Sequence, residues 1–434
     1  MKLKGMESNI MFMPKSKSLV LSKPVINDMP YNRVRLSCDI KDNDEIKTLY
    51  YEVDKEYGKY LCDERSDAFV ISILPFAMLA GQDIYCNSPV TEDLLHNINE
   101  VLVPTLSSAP NKYKLMRVHA STENNPIRGD EVATGISLGV DSFYTIFKNK
   151  DSEYKNLNLT HLLNMKSPNT IKKRSIHMEE ITKVAKELNI PNTFILSNIY
   201  NLWKNSHVQV HIYFFLGVVY AMRKLVRAYY YSTAYDLSEF TIEGEPRVPI
   251  ADKYLLLLAY NFSTPDVRVF IEGMDVTRRE KILAISDEEV VQKYLRTCVE
   301  EDYNCSVCWK CKRSLMEFDM LGVLDNYREV YDVDYYLEHK PEYFEYLIRR
   351  KDKSLVYPLY EYFLTKDPEN MAKAEKIAVN VAEKMAKNKL KKKNPKNQKK
   401  SKKKISQPKK ILKKIIPKPI RRFIPTRLKL YWNK

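Results

Sequence analysis

Residues 132–147 constrain this chain more than any other stretch. An apolar run, Val132-Ala133-Thr134, enters the polar loop Gly135-Ile136-Ser137-Leu138-Gly139-Val140-Asp141-Ser142, and Phe143, Ile146 and Phe147 leave it at helical spacing. The pattern reads as strand, tight loop, helix. Backbone N–H groups at such a helix start point outward and the helix dipole favours negative charge, so phosphate is the natural guest. The chain has ten glycines in 434 residues, and Gly135 and Gly139 both fall in this loop, where backbone must let a ligand approach. The spacing is neither that of a Walker loop nor that of a dinucleotide-binding turn.

Around this loop, strands are expected at 132–137, 160–165, 193–197, 228–232 and 267–271, with helices at 176–188, 207–227 and 251–261 between them. Repeated β-α-β units give an α/β fold, a parallel five-stranded sheet with helices on both faces. Ligands of such sheets bind beyond the carboxyl ends of the strands. The loop 137–142, Met165-Lys166, Ser197-Asn198 and Ser232-Thr233 are therefore expected to ring one crevice. His211 begins an apolar helix and reads as a core histidine.

Upstream, Val34, Leu36, Cys38 and Ile40 alternate with polar residues, as do Leu49, Tyr51 and Val53, so both are half-buried strands. The apolar segment 67–78 is buried, of a type the pattern leaves open. A short strand at 84–86 and a helix opened by Ser88-Pro89 complete a small α+β domain over 30–120, after a loose lead-in at 1–29. Two capping boxes are legible, Thr277 to Glu280 and Ser286 to Glu289. The first places Arg278 and Lys281 in an opening helical turn. Residues 316–390 read as a C-terminal helical extension rich in tyrosine.

The formal charge of +16 is unevenly spread. Residues 381–434 hold 22 Lys/Arg against one acid, leaving 49 basic and 54 acidic side chains in the first 380 residues. A nucleic-acid footprint across the folded body is thus not supported. The tail at 391–434 cannot build a core, but its end threads Ile415, Ile416, Phe423, Leu428 and Trp432 among cations. That mixture suits an anionic membrane surface through residues 405–434, and RNA is the lesser candidate. No run of eighteen apolar residues and no signal-like start occur, so a cytoplasmic protein, peripheral at the inner membrane face, is expected.

Cys38, Cys62 and Cys86 are isolated and read as small core hydrophobes. Cys298, Cys305, Cys308 and Cys311 supply four thiols within fourteen residues. Turns with two intervening residues bring paired sulfurs to one ion, and four sulfurs leave no open position, so a structural Zn2+ is expected. An iron–sulfur cluster is the chemical competitor.

Ser137-Leu-Gly-Val-Asp-Ser142 resembles the Ser-Gly-Gly-x-Asp-Ser loop of the PP-loop (N-type) ATP pyrophosphatases, with Leu138 in place of the first glycine. Followed by the cysteine cluster, with Arg313 two residues beyond it, the chain is similar over residues 30–315 to 7-cyano-7-deazaguanine synthase-like proteins. The stretch from Ile271 through Arg278 and Lys281 is similar as well. The resemblance implies ATP with Mg2+ and an ATP-dependent ligase or amidotransferase. Such an enzyme activates a carboxylate or carbonyl oxygen of a small metabolite or a surface-polysaccharide precursor. It implies Ser137, Gly139, Val140, Asp141, Ser142, Met165 and Ser197 for nucleotide binding and Asp141, Arg278 and Lys281 for catalysis. Two alternatives are a PP-loop tRNA-base modification enzyme and a non-catalytic nucleotide-binding protein whose loop Leu138 has closed.

Overall fold

A computed structural model describes residues 18–168, 175–202, 207–244 and 248–393. The expected membrane-binding end at 405–434 and most of the expected lead-in lie outside them. The chain divides into two compact units, Met1–Leu295 and Arg296–Lys434. The division falls before the cysteine cluster, whereas the sequence reading placed that cluster inside the α/β domain.

The first unit is an α/β structure built on an eleven-stranded, mostly parallel sheet. Its strands are β1 (Ser18–Leu21), β2 (Val25–Met29), β3 (Arg33–Asp42), β4 (Glu45–Asp54) and β5 (Asp83–Cys86), then β7 (Val118–His119) and β9 (Glu131–Thr134). They continue with β10 (His161–Lys166), β11 (Asn192–Ser197), β12 (Val226–Ser232) and β13 (Arg268–Glu272), while β6 (Val90–Thr91) and β8 (Thr122–Glu123) pair separately. The order β13-β12-β9-β10-β11 is parallel throughout, and β4 then pairs antiparallel with β11, Leu196 facing Glu52 and Ser197 facing Tyr51. The sheet thus runs unbroken through β4, β3, β1, β5 and β7. The segment expected to be a separate α+β domain shares a sheet with the parallel strands. Alternation alone could not show this, because a half-buried strand reads the same whichever neighbour it pairs with.

In chain order the parallel strands lie third, second, first, fourth, fifth. The order reverses at β9, so the loop after β9 opens at a topological switch point, the place where such sheets bind ligands.

The segment left open at 67–78 is a helix, Asp67–Ala80, apolar on all sides and nearly all buried. A helix without a polar face must be enclosed, and it packs against the equally apolar helix His207–Ala221. Gly217 permits the close approach, since a Cβ there would lie 1.9 Å from Ser72 Oγ. Beside this contact sits a buried ionic cluster. Arg223 Nη1 pairs with Asp67 and its Nη2 with Asp266 at 2.8 Å, and Arg65 Nη1 donates to Thr91 Oγ1 at 3.0 Å. These residues tie the N-terminal strands to the parallel half of the sheet.

The Thr277 capping box forms as expected, Glu280 Oε2 accepting from Thr277 N at 2.6 Å while Thr277 Oγ1 accepts from Glu280 N at 3.4 Å. The Ser286 box does not. Ser286 has helical backbone angles and donates its hydroxyl to Leu283 O, and the next helix, Glu289–Tyr294, begins without a side-chain cap. An N-cap needs extended backbone, which Ser286 lacks.

The second unit is helical over its described residues, with Trp309–Leu321, Val333–Glu338, Lys340–Arg350, Tyr357–Lys366 and Pro368–Lys393. No helix among the described residues is long and apolar enough to cross a membrane.

Candidate functional site

Beyond β9 the chain turns through Gly135–Gly139 into the helix Val140–Asn149. Asn164 on β10 fixes the start of the turn, its Oδ1 accepting from Ile136 N at 2.9 Å. Tyr229 on β12 approaches Gly135 so closely that a Cβ there would lie 3.2 Å from its hydroxyl oxygen. His177 Nε2 donates to Ser137 O at 3.1 Å. Within the loop, the Ser137 and Ser142 hydroxyl oxygens are 3.2 Å apart and Ser142 Oγ donates to Gly139 O at 3.0 Å. No side chain caps the helix start.

Leu138 takes φ +59°, and its side chain is fully buried. Left-handed backbone costs a non-glycine residue about 1–2 kcal/mol, which burying an apolar side chain of this size offsets. The side chain goes into the protein rather than over the loop, and Leu138 does not line the cavity described next.

A cavity of about 350 Å³ opens at the loop, at the small end of the range for ligand sites. Ser137, Asp141, Ser142 and Met165 line it, as expected. Lys166 and Ser232 line it too. Gly139, Val140 and Ser197 do not, although the first two hold the loop's turn into the helix. Ser197 is wholly buried, its hydroxyl accepting from Ile199 N. Its neighbour Asn198 accepts from Tyr50 N at 3.1 Å and donates to Thr48 O at 2.8 Å. Because β4 pairs along β11, the end of β11 serves the strand junction rather than the crevice.

Asp141 is met from the helix Arg278–Ile285. Lys281 Nζ lies 3.1 Å from Asp141 Oδ1, and Arg278 Nη1 lies 3.9 Å from its Oδ2. Lys281 also donates to Thr233 O at 2.6 Å and is 2 % exposed. Gly273, at φ +85°, makes room for it, since a Cβ would come within 2.7 Å of Lys281 Cε. Neither cation lines the cavity; both act on it through Asp141.

Sequence reasoning missed much of the cavity's lining. His207, His211, Phe215, Tyr229, Tyr231 and Asp252 line it. His211, read as a core residue, has Nε2 3.0 Å from Asp252 Oδ1 and Nδ1 2.9 Å from His207 O. Burial raises the Tyr229 and Tyr231 hydroxyls well above their ordinary value. The one available signal was His207 and His211 spaced four apart on an apolar helix, which puts both on one face.

In the second unit the four thiols converge. Cys298, Cys305, Cys308 and Cys311 have sulfur atoms all within 4.8 Å of one another, with Cys298 and Cys308 at 3.9 Å. Tetrahedral zinc with bonds of about 2.3 Å needs sulfurs about 3.8 Å apart, so the donor set and spacing suit zinc. Among the described residues this is the one such group of metal donors. Ser306 makes the knuckle's bend at φ +61°. Its carbonyl accepts from the Tyr343 hydroxyl and its side chain from Asp332 N, both at 2.9 Å.

Cys308 precedes the helix Trp309–Leu321 and Cys311 lies in its first turn. Backbone N–H groups of Glu301 and Cys308 donate to the sulfurs of Cys298 and Cys305 at 3.4 and 3.3 Å. Burial raises the Cys298 thiol, but backbone hydrogen bonds at Cys305, Glu301 and Glu300 outweigh it and bring it down to about 7. Burial pushes Cys311 up. Arg313, two residues on, faces Glu317 one turn later, with Nε 3.7 Å from Oε1.

Comparison with protein-family models, with curated proteins and with solved structures finds no match; the functional reading therefore rests on the geometry of these two sites.

Proposed function

We propose that the first unit is an ATP-dependent enzyme of the PP-loop kind, activating a carboxylate or carbonyl oxygen of a small metabolite or surface-polysaccharide precursor. The nucleophile would carry nitrogen or sulfur. The observation that carries this reading is the loop after β9. It opens at the switch point of the parallel strands, and Leu138 stands in the conformation glycine favours with its side chain out of the cavity. A leucine in place of the first glycine therefore leaves the approach to the loop open.

On this reading the Ser137 and Ser142 hydroxyls and the N–H groups opening the helix Val140–Asn149 receive phosphate oxygens. Asp141 holds Mg2+ through its water shell, since that ion gives up water reluctantly. The metal would neutralise phosphate charge and orient the chain of phosphates. Lys281 sets the Asp141 carboxylate, and Arg278 stands ready for charge developing on the leaving phosphate. The four thiols hold a structural Zn2+ with no open position and take no part in the chemistry. Residues 405–434 would bring the enzyme to an anionic leaflet, which vesicle flotation with and without them tests.

The deciding experiment is purified protein with ATP and Mg2+, following AMP, ADP and pyrophosphate as carboxylic acids and ammonium are supplied. Asp141→Asn is expected to lower nucleotide turnover about 100-fold or more. Absence of ATP binding by calorimetry would overturn the assignment.

A further inference from the structure

Besides the loop residues, the cavity is lined by a carboxylate with one oxygen that no protein donor occupies. Asp252 is 8 % exposed and lines the cavity. Its contacts, His211 Nε2 at 3.0 Å and the Tyr231 hydroxyl at 3.5 Å, both fall on Oδ1. Oδ2 has no hydrogen-bond partner among the described residues. Oδ2 is open to the cavity rather than enclosed, so a charged donor on a ligand can reach it and make a charge-assisted hydrogen bond. The other carboxylate of the cavity, Asp141, already faces Lys281 and Arg278. Lys166 shares the cavity, with its Nζ 5.7 Å from the Phe194 ring centroid. Phe215, Tyr229 and Tyr231 give the cavity aromatic walls, which suit both an apolar skeleton and a cationic head.

We propose that Asp252 Oδ2, in the cavity that Phe215 and Tyr231 also line, is the binding subsite for a primary amine borne on an apolar skeleton. His211 is a positioning residue: it holds Oδ1, and its own Nδ1 is fixed by His207 O, so that Oδ2 is left for the ligand. The role of this amine as the nitrogen nucleophile rests on the nucleotide reading above; its binding does not.

The test is binding of benzylamine and of the isosteric benzyl alcohol at neutral pH without nucleotide, followed by protein NMR. The wild-type chain is expected to prefer the amine about tenfold or more, and Asp252→Asn to abolish that preference while benzyl alcohol binds as before. Equal affinity for the two probes in the wild type overturns the proposal whether or not the variant folds. So does an undiminished preference in a variant with an unchanged melting temperature. Amine preference in a chain that binds no ATP would support the subsite and sink the nucleotide reading. ATP turnover without amine preference would do the reverse.

Discussion

The two candidate sites are assembled in opposite ways. The thiol cluster is local: its four ligands fall within fourteen residues, and its bend, its N–H···S bonds and its helix start come from that same stretch. The cavity is the reverse. Its lining runs from Gly135 to Asp252 and draws on β10, β12, the helix His207–Ala221 and the short turn at 251–253. A local site depends on a few torsions and on its ion. A dispersed one exists only while the sheet and its covering helices hold their positions, so different perturbations should damage each.

The largest effect is expected from Cys311→Ser. Structural zinc in small folds is worth about 10–16 kcal/mol of apparent binding free energy, so metal analysis should fall from one zinc per chain to none, and the second unit should lose helical content by circular dichroism. Iron with a visible absorption band in the native protein would instead identify a cluster.

Next comes the clamp under the dispersed site. Arg223→Met leaves the buried Asp67 without its cation, while the part-buried Asp266 keeps Arg65 at 3.8 Å, which should cost about 3 kcal/mol in denaturant unfolding. Zinc content should remain at one per chain. Simultaneous loss of zinc would mean that the two sites do not stand independently.

A smaller change tests the loop. Leu138→Gly relieves left-handed strain of about 1–2 kcal/mol but removes a buried side chain whose truncation costs about 2–5 kcal/mol. A net loss of about 1–3 kcal/mol is expected by thermal melting, with nucleotide affinity unchanged because the side chain does not line the cavity. A gain in affinity would mean that Leu138 does obstruct the phosphates.

The smallest expected effect concerns pH. Burial lowers His161 below its ordinary 6.5, against a weaker opposing pull from Glu131. The unfolded chain takes up this proton near 6.5 and the folded chain only at lower pH. Its contribution is therefore complete above 6.5 and declines as pH falls below it. In His161→Gln, melting temperature should vary less with pH across that window.

Some of this architecture was legible because the signal lies within a few residues. The Thr277–Glu280 box, the strand cores at β3, β4 and β10–β13, and the thiol spacing each depend on neighbours a turn or two away. The Ser286 box shows the limit of the same logic: the residue types were right, but helical backbone at Ser286 removed the geometry an N-cap needs. Ser197 shows another limit. Its place at a strand end was read correctly, yet the pairing of β4 on β11 assigned that end to a junction.

What the sequence determined alone, then, was local: a glycine- and serine-bearing strand-to-helix turn at 135–142 and four sulfurs close enough to share an ion. Only the tertiary structure decided that one sheet runs from β13 to β7, that Leu138 turns inward, and that His211 and Asp252 meet in the cavity that also holds Ser137. The reason is physical. Hydrogen-bond registry and helix packing between distant segments are set by the shape of the whole core, and no window of sequence contains both partners of such a contact.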